Sequence, residues 1–451
     1  MKGLIATYLL TYGGAALSLF NPFYGLLIYI SFAIIKPDLM WHWSVPPGNY
    51  SRIVAIALLL GWAFRGFGSL QLGRAKAIVV CFVGFWTWSV VSGFLAATDG
   101  QVAFRFAENL AKVLLPFLVG ITVIRSIEQL KQLAWVIVLS QGYVALEMNL
   151  SYYDGFNRLY MVGFGGMDNN CNAISMVTAT GLALFLGVGS ERRPNWWETS
   201  LALGAALLMS HAVMFSFSRG GLLALIITGV ASAMRVARRP KPLLLLAVGF
   251  VIAMRLAGPQ VVERFMTTFA DESARDVSAQ SRLDLWADCW DLMRQHPILG
   301  VGPDHWPLMA GDFGWPAGKH AHSLWFQTGA ELGFPGLAFL VFFYGICMSR
   351  TWSLARTKSG PGLDEPWLKD TARMVFAALA GFLVAAQFVS VWGIEIPYYT
   401  VLLGAGALKL ASVAPGASSG FERRAESLRR VATAAPNTPA STADPPSTAP
   451  R

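Results

Sequence analysis

Apolar runs separated by short polar breaks recur along this chain from near residue 4 to near residue 411. A helix needs about 20 apolar residues to cross the hydrocarbon core of a bilayer. The pattern predicts membrane-spanning helices at 53 to 64, 77 to 96, 113 to 124, 132 to 150, 171 to 189, 197 to 217, 220 to 234, 242 to 257, 323 to 348, 374 to 391 and 398 to 411. Residues 4 to 35 are apolar as well, but Gly13-Gly14 and Asn21-Pro22 interrupt them. At 1.5 Å per residue this stretch is too short for two full spans, so a single kinked crossing is expected, with Lys2 cytoplasmic. The expected fold is an all-α polytopic membrane protein of about 12 transmembrane helices with one large helical periplasmic loop.

Composition strengthens this reading. The 451 residues are 55% hydrophobic and 14% charged, with a mean hydropathy of +0.49, far more apolar than an ordinary soluble domain. The net charge of +9 calls for no nucleic-acid partner, because its basic residues cluster in short loops as the positive-inside rule requires. Arg235-Val-Ala-Arg238-Arg239-Pro-Lys241, Glu191-Arg192-Arg193 and the loop carrying Arg350, Arg356, Lys358, Lys369 and Arg373 all mark the same side. The alternating path through them puts residues 258 to 322 outside, with the turn at Ser218-Arg219-Gly220-Gly221 and the loops 97 to 112 and 151 to 170.

Four regions follow: N-terminal transmembrane helices in 1–257, the periplasmic loop with an amphipathic helix in 258–322, C-terminal transmembrane helices in 323–411, and a disordered cytoplasmic tail in 412–451. The tail is rich in Ala, Pro, Ser and Thr, and its four arginines near the start suit contact with anionic membrane lipid. Cys81, Cys171, Cys289 and Cys347 show no metal-ligand spacing, so neither a metal nor a cofactor is expected.

The polar interval on the outer side holds the candidate chemistry. Residues 281 to 296 have helical periodicity and Pro297 ends the run. Leu285, Trp286, Cys289, Trp290, Leu292 and Met293 form an apolar arc opposite Asp284, Asp288, Asp291 and Gln295, and Arg282 falls within the apolar arc. A cation in the first turn opposes the helix dipole. Arg282 therefore either serves an anion such as phosphate or covers Trp286 with its stem while its head reaches solvent. Arg219 precedes two glycines where two spans meet, and either snorkels to headgroups or offers a fixed fork to a lipid-borne phosphate.

His322 opens the next span. In a regular helix Phe326, Gly329 and Gly333 would share its face, leaving a smooth groove for a lipid chain or a neighbouring helix, with Glu331 pointing away. An ordinary imidazole, with pKa near 6.5, is a neutral proton acceptor near neutral pH. His320 is a weaker candidate for that role, and His296 and His305 read as turn residues. Asp168, Asn169 and Asn170 either cap the following helix or hydrogen-bond sugar hydroxyls.

These residues resemble the bacterial O-antigen ligase and polymerase superfamily. Arg219 to Leu223 is similar to its Arg-x3-Leu pattern and His322 to Gly333 to its His-x10-Gly pattern. Between them, Ser281-Arg282, Trp286 and His296-Pro297-Ile-Leu-Gly300-Val-Gly302 look like the family's outer-loop helix and its exit. The resemblance covers roughly residues 160 to 410. Ser323 departs from the family's usual His-Asn. The N-terminal Pro-Asp-Leu-Met-Trp-His-Trp segment resembles the exosortase-associated O-glycosylation ligase branch.

The resemblance implies a multi-pass protein of the bacterial inner membrane with its active site facing the periplasm. It implies metal-independent, inverting transfer of a glycan from an undecaprenyl-diphosphate carrier to a glycan, lipid or protein hydroxyl. His322, Arg219 and Arg282 would be catalytic; Arg105, Lys112, Asp168, Asn169, Asn170 and His320 would bind substrate. The competing class is a lipid-linked glycan flippase or polysaccharide exporter, which would place charges along the spans at mid-membrane.

Overall fold

The computed structural model describes residues 2–189, 192–236, 277–357, 365–390 and 394–413, with the single positions Leu244, Val248, Val251 and Arg255. The expected span at 242 to 257 and the tail after Val413 lie outside the described residues. Among those residues the chain is helical, without strands, and eight helices are long and apolar enough to cross a membrane. It is an all-α polytopic membrane protein.

The N-terminal stretch departs from expectation. Helix α1 (Lys2–Tyr8), a π-turn (Leu9–Gly13) and α2 (Gly14–Phe20) form one leg and α3 (Pro22–Ile35) the other. Asn21 is extended (φ −144°, ψ 96°), accepts the Phe23 N–H at 3.2 Å and is followed by Pro at the first helical position, so the chain turns there. A Cβ on Gly14 would stand 3.0 Å from Ile28, and one on Gly3 2.9 Å from Trp41, which makes the legs antiparallel. The stretch therefore forms a two-legged hairpin rather than one crossing. Counting residues underestimated its reach because the second leg continues through α4 (Pro37–Met40).

Helix α5 (Tyr50–Phe64) runs beside α2, with Tyr8 and Tyr50 rings 5.9 Å apart and Arg65 donating to Phe20 O at 2.7 Å. The start of α1 thus lies at the end of the bundle occupied by Trp41, opposite Arg65. Arg158 donates to Leu39 O at 3.1 Å and Lys36 to Gly165 O at 2.8 Å, so this end also carries the loop after residue 153. It is called the site face below. A cytoplasmic Lys2 would put it on the side of Arg65, and the hairpin overturns that placement.

The chain then runs between the two faces through α6 (Lys76–Leu95), α7 (Gly100–Val123) and α8 (Ile127–Tyr153). The short α9 (Arg158–Met161) leads into α10 (Asn169–Val188), α11 (Trp196–Phe215) and α12 (Arg219–Val236). Helix α7 begins where the hydropathy pattern predicts a loop: Arg105, Glu108 and Lys112 interrupt the apolar run, yet Ala103, Phe106 and Leu110 are buried on its other side. Helix α10 is the most enclosed of the candidate spans.

After the interval that includes α13 (Val277–Gln295) and α14 (Trp306–Met309), helices α15 (Leu324–Arg356), α16 (Pro366–Ala385) and α17 (Ile396–Val413) complete the bundle. A Cβ on Gly181 would sit 2.7 Å from Ala378 Cα, so α10 and α16 touch backbone to backbone, as small residues permit in a bilayer.

At the opposite face, cations that mark it as basic also terminate helices. Lys409 donates to Ile121 O at 2.6 Å and Ile124 O at 3.0 Å, Arg373 to Ala355 O at 3.3 Å, and Arg192 to Phe185 O at 3.4 Å. Carbonyls at a helix C-terminus lack intrahelical donors and carry the negative end of the dipole, which such cations satisfy.

Candidate functional site

The site face is assembled around a break in α15. Gly333 has φ 65° and ψ −172°, and Pro335 follows, so the ladder stops there and the carbonyls of Ala330, Glu331 and Leu332 need other donors. They receive Val301 N–H at 3.1 Å, Gly302 N–H at 2.9 Å and Trp88 Nε1–H at 2.9 Å. Phe334 N–H in turn donates to Pro297 O at 2.9 Å. The His296-to-Gly302 segment is thus the donor strip that fills the kink.

The buried Glu331 carboxylate completes the joint. Its Oε1 accepts Trp306 N–H at 3.3 Å and Gln327 Nε2–H at 2.9 Å. Glu331 is not among the charges acting on His322, and its work is to hold the loop. His305, read from the sequence as a turn residue, is also buried, with Nδ1 2.8 Å from Pro303 O and Nε2 accepting Asp99 N–H at 2.9 Å. The second bond fixes the tautomer with the proton on Nδ1, and ties the loop to the start of α7. Only a partner distant in sequence reveals this role.

Helix α13 lies across α15, and it starts at Val277, so Arg282 stands in its second turn and not, as the sequence suggests, in the first turn beside free N-terminal amides. Leu285, Cys289, Leu292 and Met293 are buried, and Trp286 stacks on Phe326 at 5.5 Å with 9° between planes. The groove expected under His322 is filled: Met293 abuts Gly329, and Pro297 and Ile298 carbonyls abut Gly333. The small residues admit the loop helix and its exit, so of the two expected occupants it is the neighbouring helix that packs there. Trp290 stays partly exposed against Phe334, and Asp288 accepts Trp315 Nε1–H at 2.7 Å.

His322 stands just outside α15 in the left-handed region (φ 51°), and Ser323 is the N-cap, accepting Phe326 N–H at 3.4 Å. A capping role accounts for a serine at this place. The half-buried imidazole is pulled from the ordinary 6.5 down to about 4, first by burial and then by the charges of Arg282 and Lys319, with His320 adding to them and Asp168 opposing. Arg282, Lys319, His320 and Asp168 therefore gather around His322. Burial raises the carboxyl of nearby Asp304, opposed by His320 and His305.

Asp168 is the N-cap of α10: its Oδ1 accepts Cys171 N–H at 2.8 Å and its Oδ2 accepts from Asn170 at 3.3 Å. Asn169 donates to Ser216 O at 2.8 Å, which ties this mouth to the α11–α12 turn. In that turn Phe217 is left-handed (φ 56°), Ser218 Oγ accepts Gly221 N–H at 3.1 Å, and Arg219 begins α12 half-buried. Phe388 packs against Gly220 on one side and lies 6.3 Å from Trp286 on the other, linking the Arg219 turn to the Arg282 helix.

Arg105 and Lys112 lie apart. Both are exposed on α7, Lys112 pairs with Glu108 at 3.0 Å, and neither is among the charges acting on His322. All four cysteines are free.

The bundle and this polar mouth define a multi-pass membrane protein with one loop-covered cluster of cations around a neutral histidine. Residues 204–341 match the family described as Wzy_C, O-Antigen ligase. The match encloses Arg219, Arg282, His322 and Gly333, so this segment is similar to that family. A comparison with curated proteins gives no match.

Proposed function

We propose that the protein is a glycosyltransferase of the bacterial inner membrane, working at its periplasmic face. It moves a glycan from an undecaprenyl-diphosphate carrier to a hydroxyl of a glycan, lipid or protein. The observation that carries this reading is the match of residues 204–341 to the O-antigen ligase family, which encloses Arg219, Arg282 and a half-buried His322 whose pKa burial and the charge of Arg282 both lower. Such an imidazole is unprotonated near neutral pH and so free to accept a hydroxyl proton, and the permanent cations of the set suit a diphosphate that leaves.

In this mechanism the acceptor oxygen attacks the anomeric carbon from the side opposite the diphosphate. The new C–O bond forms as the C–O bond to phosphate breaks, so the anomeric centre inverts. His322 takes the hydroxyl proton. Arg282 and Arg219 neutralise the charge growing on the leaving diphosphate, which gives the reaction its electrostatic stabilisation without a divalent cation. Asp168, Asn169 and Asn170 shape the mouth and offer their remaining oxygens to sugar hydroxyls, and His320 lines the approach. Arg105 and Lys112 would meet only parts of the substrate remote from His322.

The test is acceptor-dependent release of undecaprenyl diphosphate from a purified lipid-linked oligosaccharide, comparing wild type with His322→Ala. Release that vanishes in a folded variant supports the proposal. Movement of the intact donor between leaflets of a liposome, with no release, would instead make the protein a flippase.

A further inference from the structure

His322 occupies a backbone conformation that a residue with a Cβ adopts at a cost of about 1 kcal/mol or more, and such a conformation persists only where its surroundings over-determine it. The surroundings are specific. The fully buried Gln327 accepts Ala321 N–H on Oε1 at 3.3 Å, and the same oxygen accepts the Ser390 hydroxyl. Trp286 Nε1–H donates to Ala321 C=O at 3.1 Å. Both peptide groups of Ala321, the residue before His322, are therefore held from outside. Two residues further on, Leu324 N–H donates to Ala386 O at 2.9 Å. Gln327 is itself oriented from behind by Glu331, which also carries Trp306 of the loop.

We propose that Gln327, with Trp286 and Ser390, forms a clamp on the Ala321 backbone that aims the His322 imidazole, making Gln327 a positioning residue for glycosyl transfer. The clamp joins α13, α15 and the segment after α16, so the histidine is correctly placed only when the loop helix is docked. This inference rests on the glycosyltransferase reading for its kinetic consequence, but not for its structural one.

The groups facing His322 are Arg282 from α13, Lys319 and His320 from its own loop, and Asp168 from the start of α10. None is removed by the two test variants. Gln327→Met deletes the hydrogen bonds at similar length, and Trp286→Phe deletes only the indole N–H while keeping a ring against Phe326. Each should lower kcat, by roughly tenfold to a hundredfold for Gln327→Met and less for Trp286→Phe, with donor KM within about twofold of wild type. In both, the His322 titration followed by NMR in detergent should move up from about 4 toward the ordinary histidine range as the ring relaxes into solvent.

A raised donor KM with wild-type kcat would overturn the clamp, as would wild-type kcat with an unmoved His322 titration in a folded variant. Should Gln327→Met fail to fold, Trp286→Phe decides alone. Wild-type protein that releases no undecaprenyl diphosphate would sink the glycosyltransferase reading, and the NMR titration would still decide the clamp.

Discussion

Gly300 lies so close against the backbone of Glu331 that no side chain fits between them. The exit of the loop helix and the broken span are one joint at this point, where Val301 and Gly302 N–H groups meet the Ala330 and Glu331 carbonyls. Gly300 also has φ 67°, where any other residue is strained. Gly300→Ala is expected to destabilise the folded protein by about 1 to 3 kcal/mol. Gly311→Ala, at a position open to space, should be neutral. Thermal unfolding of both variants in detergent checks this; equal midpoints would mean that the joint is looser than described.

The lowered pKa of His322 predicts an unusual pH profile. If His322 is the base, the acid limb of kcat/KM for transfer should fall near pH 4, since this parameter reports the free enzyme. The sign for stability is the same. Between about 4 and 6.5 the folded state binds fewer protons at this site than the unfolded chain, so its contribution to stability declines as the pH drops through that window and the loss is complete below about 4. An acid limb near 6.5 would show that His322 is solvated in the working enzyme.

In the proposed mechanism Arg282 serves the leaving group, and its charge also lowers the pKa of His322. Arg282→Ala should reduce transfer by a hundredfold or more and also raise the His322 pKa, because a lowering charge is gone. Arg282→Lys keeps the charge but loses the planar fork, and should retain a low His322 pKa with roughly tenfold weaker activity. Arg219→Ala should reduce transfer as strongly without the same effect on His322. These three variants are compared by donor turnover and by histidine NMR.

In the proposed mechanism two arginines neutralise the leaving diphosphate, so no step of it calls for a divalent cation. Transfer is expected to proceed at an unchanged rate in excess EDTA. Loss of activity on chelation, with recovery on adding a divalent cation, would remove the metal-independent mechanism.

Lys112 and Arg105 supply the contrast. Lys112 is exposed and already paired with Glu108 on α7, so replacing either cation by Ala should leave kcat within about twofold and alter at most donor KM. A tenfold fall in kcat for Lys112→Ala would bring α7 into the reacting centre.

The hydrophobic pattern by itself determined that this is a helical membrane protein, because its apolar runs are long and continuous, as a spanning helix needs, and not short and alternating as in a barrel strand. It put Arg282 in the apolar arc of its helix and Arg219 and His322 at the ends of spans, and the resemblance to the ligase family joined the three as a set. The helical period of residues 281 to 296 identified the arc that Leu285, Cys289, Leu292 and Met293 bury. Tertiary structure decided what local pattern leaves open. The hairpin at Asn21 depends on Gly3 meeting Trp41, and the extension of α7 on a buried face that its charges conceal in any average along the chain. His305 and Asp99, Glu331 and Trp306, and Gln327 and Ala321 meet through bonds between a side chain and a distant or turned backbone. Such bonds have no period and no composition, so only folding brings them into view.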